Sequence, residues 1–95
     1  MFSWDEVKNQ SNVKKHGVSF ETAKLVFADK LHLSRQDRIE NGEMRWQTLG
    51  MVNNTLLLLV AHLIKQQGIE EEEQIRIISA RRATKLERKI YEQNT

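Results

Sequence analysis

The sequence predicts an α+β domain: two N-terminal helices, a four-stranded antiparallel β-meander and a C-terminal basic amphipathic helix. Three observations carry that prediction. Residues 74–80 (QIRIISA) are rich in β-branched side chains, and the hydrophobic period changes from Arg81 onward. The run 56–61 (LLLLVA) is apolar on both sides and lies between turn signals, as a strand covered on both faces requires. Asn41-Gly42 between two polar-apolar segments is a hairpin signal.

Taken in order, residues 2–4 are a candidate short strand. Asp5 can cap a helix running to about His16, with Gly17 ending it through a left-handed cap. Ser19 is a second cap candidate, with Glu21 in the first turn and Phe20, Ala23 and Phe27 as the buried stripe. Strands are expected over 31–39 and 43–51, the latter offering Trp46 for packing. Asn53-Asn54 marks the next turn, and 65–73 reads as a long exposed hairpin loop. In the last segment Ala83, Leu86 and Ile90 fall within about 60° of one another on a helical wheel, a stripe able to dock on a sheet. Arg81, Arg82, Lys85, Arg88 and Lys89 fall on the other side, turned toward something negatively charged.

Composition narrows the function. A chain of 95 residues makes one domain with a modest core, burying roughly 60–70% of its unfolded surface. No apolar run approaches the ~18 residues of a membrane span, and no signal-like segment follows Met1, so a cytoplasmic chain without membrane contact is expected. The absence of cysteine rules out disulfides and thiolate metal sites and fits a reducing compartment. Charge is unevenly spread: residues 76–95 hold six cations against two anions, whereas four acids crowd into 70–73. That pattern suggests a polyanion-facing surface with a separate acidic patch.

His16, His32 and His62 lie apart with no ligand spacing, so no metal is expected. No phosphate-binding glycine motif occurs, which removes support for kinase, NTPase and dehydrogenase readings and implies no cofactor. Ser79 reads as a small packing residue rather than a nucleophile. The arginines are the leading candidates. Alternation puts Glu43 and Arg45 on one strand face, Arg76 projects from the last strand and Arg81 stands at its end. Three guanidinium groups and a carboxylate converging on one cleft would suit a phosphodiester, which arginine grips with paired hydrogen bonds. Alternatively, Arg45 and Arg76 are ordinary cross-strand partners of carboxylates. Tyr91 is either a cap on the helix–sheet interface or a base-stacking or proton-donating group. His62 is either a satisfied strand-end histidine or a titrating acid or base.

The segments Lys15-His16-Gly17-Val18-Ser19-Phe20-Glu21, Gly42-Glu43-Met44-Arg45-Trp46 and Ile75-Arg76-Ile77-Ile78-Ser79-Ala80-Arg81-Arg82-Ala83, with Glu87-Arg88 and Tyr91-Glu92, resemble the BrnT toxins of bacterial type II toxin–antitoxin pairs. The resemblance spans nearly the whole chain. It implies a RelE-like ribonuclease fold, RNA cleavage that halts translation and neutralisation by a ribbon-helix-helix antitoxin. It also implies an assembly of two toxins and two antitoxins, touching operator DNA through the antitoxin. The chain departs from the family at Lys30, where proline is usual, and after His62, where Leu63 and a longer acidic segment replace a threonine and a short turn. On this basis Arg45, Arg76 and Arg81 are expected to stabilise the phosphorane, with Glu43 as base and Tyr91 as acid or stacking platform. Lys15, Arg82, Lys85, Arg88 and Lys89 would bind RNA, and His16 and His62 could transfer protons. The competing expectation is a non-catalytic nucleic-acid-binding or protein-interaction module, including a degenerate toxin that only binds its antitoxin.

Overall fold

Asn41 and Gly42 both take positive φ (52° and 77°), the geometry that lets a two-residue turn match the right-handed twist of its strands. The turn joins β2 (Leu33–Glu40) to β3 (Glu43–Val52). A second turn with Asn53 and Asn54 at positive φ leads into β4 (Leu56–Lys65), which pairs with both β3 and β5 (Gln74–Arg82). The computed structural model describes residues 1–65 and 73–94. The acidic loop expected over 65–73 therefore falls mostly outside the described residues.

The expected four-stranded antiparallel meander behind two N-terminal helices is corrected by the structure. The sheet has five strands in the order β1-β5-β4-β3-β2 and is mixed, because β1 (Phe2–Ser3) adds parallel to β5 at Ile75 and Arg76. Only the first N-terminal helix is substantial. α1 (Glu6–His16) starts at Asp5, whose Oδ1 accepts from Val7 N at 2.8 Å, and stops at Gly17 (φ 71°). α2 (Phe20–Ala23) is one turn that tightens into a 3-10 segment, Lys24–Ala28. That segment lies so close to β3 that a Cβ on Gly50 would sit 2.8 Å from Val26 Cβ and from the Val26 carbonyl oxygen.

One sheet face is closed by these N-terminal elements over Val18, Phe20, Ala23, Val26, Leu58, Val60 and Ile77. The other carries α3 (Lys85–Gln93) on Leu49, Leu57 and Leu59. β5 runs two residues further than expected, so Arg81 and Arg82 belong to the strand rather than to the helix. The helix begins instead at Thr84, whose side chain caps Glu87 N while Glu87 caps Thr84 N. Its sheet-facing residues are Ala83, Glu87 and Tyr91; the expected stripe residues Leu86 and Ile90 stay 68% and 42% exposed. The helix's rotation is set by two polar anchors, Glu87 on Arg81 and Tyr91 on Asp29, rather than by its apolar stripe.

Candidate nucleic-acid interface

Strand register lines up side chains in rows on the face that α3 covers only in part. Leu33, Leu49, Leu59 and Arg81 form one row, and Arg35, Gln47, Ala61 and Ser79 the next. Arg38 pairs with Arg45, and Leu63 with Arg76; continuing the β3–β4 register one residue past Trp46–His62 joins them into a third row. The fourth holds Glu40 and Glu43 beside Lys65, whose ammonium meets Glu43 at 3.3 Å. Alternation sets Glu43 with Arg45, and the irregularity in β5 between Ile77 and Ser79 offsets the odd spacing of Arg76 and Arg81, so all four reach a single face. They do not meet at one point. Arg45 and Arg76 are two strands apart, about 10 Å, and Arg81 lies roughly 15 Å along β5 from Arg76.

The second row, with its small residues Ala61 and Ser79, floors a cavity of about 360 Å³. Arg81, Gln47 and Leu59 wall it on the sheet side, and Lys15 and His16 at the end of α1 close it. Asn12 puts α1 there. Its side chain is buried and donates to Val18 O and Ala80 O, both at 2.8 Å, while accepting from Ala80 N at 3.1 Å. One amide thus satisfies both backbone groups of Ala80 on an edge that β1 is too short to cover. Sequence reading missed this residue; an asparagine three residues before the Lys15-His16 pair in a weakly apolar helix was the available signal.

Arg81 is aimed by Glu87 through two hydrogen bonds of 2.8 and 2.9 Å. The Arg81 bonds, together with those from Thr84, outweigh burial and hold the Glu87 carboxyl down to about 2, while Arg81 is raised in return. Arg45 is largely buried and lies 3.1 Å from Glu40 through Nε, an atom with no well-aligned hydrogen bond. Arg76 has no ion pair among the described residues. Arg82, Lys85, Arg88 and Lys89 are exposed at the end of β5 and on α3.

Two other candidates stand apart from this cavity. His62 points to the opposite face, 1% exposed, with Phe27 edge-on at 4.9 Å. It shares a 2.7 Å hydrogen bond with Thr48, which shares another with Ser34. Burial pushes its pKa down to about 4. Tyr91 is 5% exposed and donates to Asp29 at 2.5 Å. Burial first, and then the Asp29 bond and charge, push the phenol up to about 12. Burial alone would raise Asp29; hydrogen bonds from Tyr91, Met51 N and Leu31 N, with the His32 charge, bring it below its ordinary value. Among the described residues no three His, Asp or Glu side chains are grouped to hold a metal ion. No helix there is long and apolar enough to cross a membrane.

Comparison with known proteins gives these rows a context. A family model described as "Ribonuclease toxin, BrnT, of type II toxin-antitoxin system" matches residues 4–87. No curated protein sequence matches. Among solved structures, the 1.1 Å crystal structure of the Brucella abortus ribonuclease toxin BrnT superposes with a TM-score of 0.58 at 25% identity, covering 90% of this chain and 99% of that one. The match spans α1, the arginine-bearing strands and the start of α3 through Glu87, and on it the chain belongs to the BrnT family of type II toxin–antitoxin ribonuclease toxins.

Proposed function

We propose that this chain is an endoribonuclease that cuts RNA without a metal ion and so blocks translation, and that an antitoxin neutralises it. The single observation that carries the reading is the cavity where Arg81, Lys15 and His16 surround a floor of small residues on an arginine-lined sheet face. RNA brings its own nucleophile. The 2′-oxygen attacks the adjacent phosphorus, the bond to the 5′-oxygen breaks, and the products are a 2′,3′-cyclic phosphate and a 5′-hydroxyl. The enzyme needs to align the attack, stabilise added charge on phosphorus and relay one proton from the 2′-oxygen to the departing 5′-oxygen.

Arg81, held rigid by Glu87, and Lys15 supply fixed positive charge beside the scissile phosphate. His16, which lines the same cavity, takes and returns the proton. Arg76 and Arg45, one row further along the same face, hold neighbouring phosphates, because their spacing follows an extended strand rather than one anion. Exposed Arg82, Lys85, Arg88 and Lys89 add long-range attraction for the polyanion. Glu43, paired with Lys65 two rows from the cavity floor, steadies the far end of this track. Tyr91 anchors α3 through Asp29.

Family membership implies an antitoxin partner. We assign it a ribbon-helix-helix type with two copies of each chain in the complex, contacting operator DNA itself. End-labelled RNA incubated with pure protein in excess chelator tests the chemistry. Shortened RNA ending in cyclic phosphate is the expected product. A mobility shift with intact RNA, or cleavage only after divalent metal is added, would overturn the proposal.

A further inference from the structure

α3 leaves its most apolar flank uncovered. Leu86 and Ile90 are 68% and 42% exposed, although the helix already rests on the sheet through Ala83, Glu87 and Tyr91. Beside that flank runs a groove of about 100 Å³ between α3 and β2, walled by Ile90, Leu33, Leu49 and Leu59. Its lining holds one cation. Arg35 lines it and bonds only to the neutral Gln47 oxygen, at 2.8 and 3.1 Å, with no ion pair among the described residues. Lys89, outside the lining, lies about 60° beyond Leu86 on the helical wheel and is likewise without an ion pair among the described residues. The one acid in the lining, Glu87, already has both carboxylate oxygens engaged by Arg81.

We infer that this groove and the Leu86–Ile90 flank are where the antitoxin docks, through an amphipathic segment with apolar anchors and acidic borders. The inference rests on the antitoxin partnership proposed above and says where that partner sits. An apolar wall suits a protein rather than RNA, and uncompensated Arg35 and Lys89 select an acidic one. Position supplies the consequence. Gln47 and Leu59 line both this groove and the Arg81 cavity, so a segment seated here reaches the cleft without a separate binding site.

The test measures affinity between the purified chain and the protein encoded by the open reading frame adjacent to its gene. The expected result is that Leu86→Glu with Ile90→Glu weakens binding roughly 30-fold or more, the loss typical of buried apolar anchors. The same variant, unbound, still cleaves RNA. Val7→Glu, at a position 74% exposed on α1, is the control and leaves affinity unchanged. Wild-type binding that the double variant does not weaken would overturn the docking site and leave the partnership standing. Absence of wild-type binding would overturn both. A wild-type dimer by sedimentation that the double variant splits, with antitoxin affinity unmoved, would assign the flank to self-association and also overturn the inference.

Discussion

The two faces of the sheet carry the same kinds of residue and treat them oppositely. Under α1, α2 and the 3-10 segment, polar groups are sealed and paired off: His62 with Thr48, Thr48 with Ser34, Asn12 with Ala80. Under α3 the cover stops at the Leu49–Leu59 row, and beyond it charged groups stand on an open floor. The contrast teaches that a histidine or an arginine is made structural or available by which side of one strand it leaves. Ala61 and His62 are neighbours in β4, yet one floors the cavity and the other is 1% exposed.

The sharpest way to break the comparison is at Arg81. Arg81→Gln is expected to lower kcat/KM by about 10²–10³-fold, the loss seen when one preorganised electrostatic donor is removed. Single-turnover cleavage of labelled RNA measures it, and His62→Gln, on the sealed face, is expected to leave that rate within a few-fold. Asn12→Ala comes next, because the residue belongs to one face and serves the other. Leaving both backbone groups of Ala80 unpaired is expected to cost about 3 kcal/mol in denaturant unfolding. Cleavage should fall with it, as Lys15 and His16 lose their support.

A pH series sharpens the contrast. The unfolded chain protonates His62 below about 6.5, whereas the folded chain resists until about 4. Stability from this group is therefore complete above pH 6.5 and declines as pH falls from 6.5 to 4, at about 1.4 kcal/mol per unit. Glu87 acts in a lower window, its contribution fading only between pH 4.5 and about 2. Urea midpoints across these ranges should show two separable slopes, and His62→Gln should remove the upper one. The smallest effect is expected for Tyr91→Phe, which deletes the Asp29 bond at about 1.5 kcal/mol and leaves two backbone donors on that carboxylate. A thermal melt reads the loss; unchanged RNA cleavage would mark the phenol as an anchor rather than a participant in catalysis.

Much of the fold was legible where local chemistry decides it. The Asp5 and Ser19 caps, the Gly17 stop, the Asn41-Gly42 turn and the apolar run of β4 each act within a few residues. β1 was read as a strand but not as part of the sheet, because two residues have no period and their pairing lies more than seventy positions away. The start of α3 was readable and overlooked: Thr84 followed three residues later by Glu87 is a capping-box signature. The helix's rotation was not readable, since it depends on where Arg81 and Asp29 finish in space. Among the site residues, alternation was enough to put Glu43 and Arg45 on one face, but not Arg76 with Arg81, whose odd spacing is offset only by the irregularity in β5. Their separation into different rows depends on register and on the irregularity beside His62, which no single strand's pattern encodes.

Glu87 occupies a position late in the chain and uses its carboxylate twice, on the first turn of α3 and on the Arg81 guanidinium. The strands can therefore pair while Arg81 is still unaimed; its guanidinium takes a fixed direction only once α3 docks.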